Sequence, residues 1–412
     1  MTPVNARRLQ KMSKNAHFPE RYVKNIVAFA ALALSSVVSA AGLKDDYAGK
    51  FYVGAAIGPD IYRGDPTEET RIITAHFSTI TPENEMKPER IHPDEGRYYW
   101  DDADRFVAFG VRNRMKIIGH CLVWHNQTPG WFFTNPDGTK ADRKTLIRRM
   151  RAHIHAVVGR YKGRVHGWDV VNEAFDDEGN IHNSQWREGI GPDFIELAFR
   201  FAHEADPKAE LYYNDFNMWN SRKADGVIEY ARKLKAKGIR IDGIGLQSHG
   251  SSGWPAIADY ERTIVAIGAA GMKAMVTELD VSVLPNAWGL TAEITTHHDY
   301  DEKFNPWKNG VLPPEKQQEL TNRYVDLFTM YLKHADIVDR VTVWGISDKD
   351  TWLNNFPMPG RTDFPLLFDR SLNPKPCLEA IRRLGRSWKV SGNGAKQRKR
   401  TGDVKTSQKP RK

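Results

Sequence analysis

The stretch Val165–Glu173, VHGWDVVNE, decides how the rest of the chain is read. Val165, Trp168, Val170 and Val171 make a short apolar run rich in β-branched residues, the signature of a strand buried on both faces. The run ends on Asn172-Glu173, and a loop with Asp176, Asp177, Gly179 and Asn180 follows. Lys273–Asp280, KAMVTELD, repeats the pattern and places Glu278 at the tip of a second apolar run. A single Glu at a strand end is ordinary, because loops turn polar there and glutamate is rarely buried unless paired. Two such tips, flanked by Trp, His and Asn, point to chemistry that needs two carboxyls. Cleavage of a glycosidic bond is such a chemistry, with one carboxyl donating a proton and the other attacking or activating water.

Outward from these two runs, apolar strand-like segments alternate with amphipathic ones. Strands are expected at 51–57, 77–80, 115–125, 165–173, 209–217, 241–249, 273–280 and 340–348. Helical patterns fall between them, for example at 144–161, 193–205, 223–237 and 316–334. Eight such alternations predict a (β/α)8 TIM barrel, an α/β fold forming one catalytic domain over residues 41–388. Catalytic groups in this architecture sit at the carboxyl ends of the strands. Here those ends read Glu83-Asn84, His120 with Trp124 and His125, Asn172-Glu173, Asn214-Asp215, Gln247 with His249, Glu278 with Asp280, and Trp344. Connectors at 125–140 and 282–314 are rich in Gly and Pro and read as long loops at that mouth.

The chain has 412 residues and a net charge of +9, but the charge is unevenly placed. Residues 1–40 carry +5 and residues 388–412 carry +8, which leaves the middle at −4. A nucleic-acid enzyme would carry its basic surface on the folded domain, so no nucleic-acid partner is expected. Residues 26–38, IVAFAALALSSVV, follow Lys and Arg and precede Val38-Ser39-Ala40. That is the pattern of a signal peptide, assigned to residues 1–40, and the run is too short to span a bilayer comfortably. It implies a secreted or periplasmic protein. Residues 389–412 read as a basic disordered tail. Cys121 and Cys377 are too few for a disulfide framework. No zinc-ligand spacing appears around His120, Cys121 and His125, and His120 and His125 are expected on opposite faces, so neither metal nor cofactor is expected. Gly243-Ile-Gly245 lacks the third glycine of a dinucleotide turn, and no G-x-S-x-G elbow is present. The sequon Asn126-Gln-Thr128 falls in the expected cleft and is read as unmodified.

The ordered set TPENEMK, GHCLVWHNQTPGW, WDVVNE, YNDFN, GIGLQSH, TELD, WGISDKDTWLNN and PGRTDFPLLFDR resembles family 10 glycoside hydrolases, the endo-β-1,4-xylanases, over about residues 43–388. That resemblance implies a retaining hydrolysis of internal xylosidic bonds, with Glu173 as acid/base and Glu278 as nucleophile. It implies that Asn172 meets the sugar 2-hydroxyl and that His249 and Asp280 support Glu278. It implies substrate contacts from Glu83, Asn84, Lys87, His120, Gln127 and Gln247, aromatic walls from Trp124, Trp344 and Trp352, and stacking by Tyr213 on the aglycone side. The implied partners are xylan and xylo-oligosaccharides, acted on by a monomer. Lys349 stands where the family commonly has glycine and is expected to crowd Trp352. Trp168 is read as core. The competing readings are a barrel glycosidase acting on β-1,4-glucan and a non-catalytic sugar-binding barrel.

Overall fold

A computed structural model describes residues 41–287 and 296–389. The leader at 1–40, the tail from residue 390 and the middle of the 282–314 connector lie outside the described residues. The strands are β1 (Tyr52–Ile57), β2 (Thr79–Pro82), β3 (Lys116–Val123), β4 (Gly167–Asn172), β5 (Glu210–Asp215), β6 (Gly243–Leu246), β7 (His249–Ser251), β8 (Lys273–Ser282) and β9 (Val338–Val343). All their pairings are parallel. Neighbours run in chain order from β1 to β6, then β6 pairs β8, β8 pairs β9 and β9 returns to β1. This is the closed eight-stranded barrel the alternation predicts, with β7 as an extension of the sixth strand along β8.

Differences in strand bounds have local causes. Phe77 was expected to open the second strand, but its N–H bonds back to the Ile73 carbonyl at 3.0 Å and ends the helix Glu68–His76. The ladder therefore starts at Thr79. The sixth strand was expected to run unbroken to His249. Ser248 takes a left-handed backbone (φ 65°) and splits it into β6 and β7. The eighth stops at Val343 because Gly345, at φ 115°, turns the chain.

Helices lie close to the expected bounds, at Arg143–Arg160, Phe194–Ala205, Ser221–Ala236 and Pro314–Lys333. Asp142 caps the first, accepting from Thr145 N at 2.8 Å, and Asn220 caps the third, accepting from Arg222 N at 3.0 Å. Such caps satisfy N–H groups that have no partner within the helix. The helices Asp101–Arg112, Ile257–Ala269 and Pro376–Ser387 complete the outer layer. Closure is reinforced where the short helix Leu43–Asp46 meets the last described helix. Asp46 pairs with Arg382 at 2.8 Å and Arg386 at 3.2 Å, and the Tyr47 hydroxyl donates to the Ile381 carbonyl at 2.8 Å.

Most apolar burial lies between strands and helices, while Ile118, Tyr212 and Met275 form a small separate cluster. Trp168 is core, as expected, at 1% exposure. Both cysteines are buried free thiols. Among the described residues no helix is long and apolar enough to cross a membrane.

Trp168 packs flat against the backbone of Gly119, its ladder partner on β3. A Cβ there would lie 2.1 Å from the indole. Gly119→Ala is therefore expected to destabilise the barrel by about 1–3 kcal/mol through overpacking, read from chemical denaturation midpoints. A change near zero would show that the indole shifts freely.

Candidate active site

The carboxyl ends of the strands open into one cleft of ≈ 1320 Å³. Glu173 and Glu278 both line it, and both are buried, at 8% and 5% exposure. Glu173 sits just past β4 with a left-handed backbone (φ 53°). That conformation is disfavoured for a residue with a Cβ, so the surroundings have to hold it. Its N–H donates to the Asn214 carbonyl at 2.9 Å, its carbonyl lies 2.8 Å from His182 Nε2, and the next N–H, of Ala174, donates to the Tyr213 hydroxyl at 2.9 Å.

The two carboxyls have different neighbours. Glu173 Oε1 accepts from Gln247 Nε2 at 2.7 Å and Oε2 from Trp124 Nε1 at 2.8 Å. Burial pushes its pKa up and the charge of Glu278 adds to this, outweighing the two donors. Glu278 Oε1 accepts from Asn214 Nδ2 at 2.8 Å, and Oε2 lies 3.4 Å from His249 Nε2. Burial alone would raise Glu278 too, but His249, His120 and Asn214 together outweigh it and hold the carboxyl below its ordinary value. Burial acts against a charge on His249 as well. Asp280, at 2.8 Å from Nδ1, overcomes it together with Glu278 and pushes the imidazole up to about 10. The arrangement therefore favours the proton on Glu173 and the negative charge on Glu278, beside a His249 that is an imidazolium at neutral pH.

Of the residues singled out from the sequence, the cleft gathers Glu83, Asn84, Lys87, His120, Trp124, Gln127, Asn172, Glu173, Gln247, His249, Glu278, Trp344 and Trp352. Lys87 Nζ ties one wall together, donating to Gln127 Oε1 at 2.9 Å and Asn84 Oδ1 at 3.1 Å, over the Trp124 ring. Burial, with Glu85 nearby, pushes Glu83 up to about 7. His120 Nδ1 lies 3.0 Å from Asp169 Oδ2, and its ring meets Trp344 edge-on. Asp280 lies behind His249 and does not line the cleft.

Three expectations need correction. Tyr213 does not stack on the aglycone side. It is 3% exposed and its hydroxyl donates to Asp215. Alternation along β5 explains this, since Asn214 faces Asn172 and Glu278 and so turns Tyr213 away. Phe216, just past β5, lines the cleft instead. Lys349 does not crowd Trp352. It is 57% exposed and reaches Glu69 at 3.5 Å and Asp350 at 3.7 Å. His120 and His125 both line the cleft, because His125 lies beyond the end of β3 and is freed from strand alternation.

Sequence reasoning named Asn214 at a strand tip but gave it no role; it bonds Asn172, Glu278 and Thr277 at once. Its position at the tip of the strand beside β4 was the available signal. Among the described residues no group of three His, Cys, Asp or Glu could hold a metal ion.

Residues 42–384 match the model of Glycosyl hydrolase family 10. The chain belongs to that family. An endo-1,4-beta-xylanase A of Xylanibacter ruminicola is 45% identical over 356 residues, covering 86% of this chain and 96% of the relative. An endo-1,4-beta-xylanase of Geobacillus stearothermophilus is 38% identical, covering 81% and 96%. The solved structure of a family 10 endoxylanase from a sugarcane soil metagenome superposes with a TM-score of 0.80 at 42% identity, covering 83% of this chain and 100% of the other. A xylotriose complex of another relative has a TM-score of 0.73 at 35% identity, covering 83% and 99%. Family membership makes the chain a glycoside hydrolase, and the two buried carboxyls are where the bond-breaking groups of such an enzyme are sought.

Gln247 favours the ionised form of Glu173, so removing it should raise that carboxyl further. Gln247→Met is expected to move the Glu173 titration midpoint upward by about one unit, followed by ¹³C NMR of labelled glutamate. A downward shift would mean that Gln247 does not act as a donor to the carboxylate.

Proposed function

We propose that the protein is a secreted, retaining endo-β-1,4-xylanase, with Glu173 as acid/base and Glu278 as nucleophile. The observation that carries the assignment is the opposed pair of environments. Burial and the charge of its neighbour push the pKa of Glu173 up, while His249, His120 and Asn214 hold that of Glu278 down. In the first step Glu278 attacks the anomeric carbon, and the Glu173 proton passes to the departing glycosidic oxygen. In the second, Glu173 takes a proton from water, the water oxygen bonds to the same carbon, and Glu278 leaves as a carboxylate. Asn172 turns its amide oxygen to Asn214, which leaves the amide nitrogen as the donor for the sugar 2-hydroxyl.

Xylan as substrate is supported by the xylanase names of the relatives and by the cleft-lining Gln127, Trp344 and Trp352, which the family resemblance puts near the sugar C5. Xylose lacks the hydroxymethyl group that glucose carries there, so a tight wall admits the first and obstructs the second. Export rests on the apolar run 26–38, and action as a monomer is part of the same reading.

Two experiments test this. Glu278→Ala is expected to lose nearly all activity on every substrate. Glu173→Ala should keep turning over aryl glycosides with good leaving groups and should be accelerated by azide, because only a poor leaving group needs the proton. Azide rescue of the Glu173 variant with inverted product, and of the Glu278 variant with retained product, would exchange the two roles. On substrate choice, kcat/KM for aryl β-xylobioside should exceed that for aryl β-cellobioside by about 10–200-fold. Equal values would favour a β-1,4-glucanase.

A further inference from the structure

We propose that Trp352 is a positioning residue for Glu278, acting through Asp280 and His249, so that the aromatic wall of the cleft and the attacking carboxylate are held as one unit. The inference rests on the reading of Glu278 as nucleophile and goes beyond it by giving a cleft-lining residue a part in the chemistry.

The geometry is a short hydrogen-bonded chain. Trp352 Nε1 donates to Asp280 Oδ2 at 2.8 Å. The same oxygen lies 2.8 Å from His249 Nδ1. His249 Nε2 lies 3.4 Å from Glu278 Oε2. Asp280 is fully buried, and among the described residues nothing donates to its Oδ1. Oδ2 therefore carries the hydrogen bonding of this carboxylate, shared between the wall and the imidazole. Trp352 also touches the imidazole ring directly, with centroids 4.9 Å apart, and its outer face stacks on Phe356 at 5.0 Å. An indole that lines the cleft is thus bonded to the group that orients the nucleophile's partner.

Losing the indole N–H has a definite consequence. With one donor gone, Asp280 Oδ2 is left to His249 alone and pulls the imidazolium toward itself, away from Glu278. The positive charge beside Glu278 weakens, and Glu278 becomes easier to protonate. The other titratable groups facing this chain are Glu173 and His120 at the neighbouring tips, Asp363 from the last long loop, and Tyr260 and Tyr324 from the helices. Trp352→Phe changes none of them and keeps an aromatic ring against both sugar and Phe356.

The test compares wild type with Trp352→Phe on aryl β-xylobioside across the acid limb of kcat/KM. The expected result is an acid limb moved to higher pH by about one unit, and kcat lowered more than KM is raised. In an Asp280→Asn background the same substitution should move the limb no further, because the link is already cut. An unchanged acid limb with only KM affected would overturn the inference and leave Trp352 as a wall. A further shift of equal size in the Asp280→Asn background would also overturn it, since the effect would then bypass Asp280. Labelling with a 2-deoxy-2-fluoro xylobioside separates this from the underlying reading. Label on Glu278 keeps that reading, whatever Trp352→Phe does, and label elsewhere removes both.

Discussion

Glu173 and Glu278 share one buried cavity, and the charge on one opposes ionisation of the other. Much of the architecture around them settles which of the two carries the charge. Donors alone do not decide it, because each carboxyl has two. The difference lies in what the donors bring. Gln247 and Trp124 are neutral, whereas His249 brings a positive charge that Asp280 sustains. Asn214 spans the gap by bonding both Glu278 and Asn172, so the tips of β4, β5 and β8 are set relative to one another by one side chain.

A second polar layer lies under Glu173. Lys223 is fully buried, 2.8 Å from Asp215 Oδ1 and 3.7 Å from the centre of the Phe216 ring. Burial pushes Asp215 up to about 6 in spite of that lysine. Tyr213 donates to Asp215 and accepts from Ala174, which anchors the strained turn at Glu173 from below. Uncompensated charges at such depth are costly, so the pair has to be complete to be tolerated. The helix Ser221–Ala236 thereby reaches into the support of a residue on another strand.

The barrel and both carboxyls were legible because each rests on a local signal, an apolar run that ends in a polar tip. What escaped depended on relations between strands. Tyr213 was placed in the cleft on the family resemblance, but only the pairing of Asn214 with Asn172 shows which way β5 faces. Phe216 lies past the end of the strand, where period-two alternation no longer applies. The side chain of Lys349 is turned by Glu69, far away in sequence. His249 and Asp280 could be named from the resemblance, yet the bond from Trp352 to Asp280 joins residues 72 apart.

Barrel closure has a temporal meaning as well. One edge of β1 is covered by β9, and the turn of helix at Leu43–Asp46 is clamped by the helix Pro376–Ser387. The first strand to leave the ribosome therefore waits for nearly the whole chain to be made before its outer ladder can form. Neighbouring strands from β1 to β6 can pair as they emerge, but closure comes late, since it rests on contacts of such long range. The barrel of such a polypeptide can close only when synthesis is almost complete.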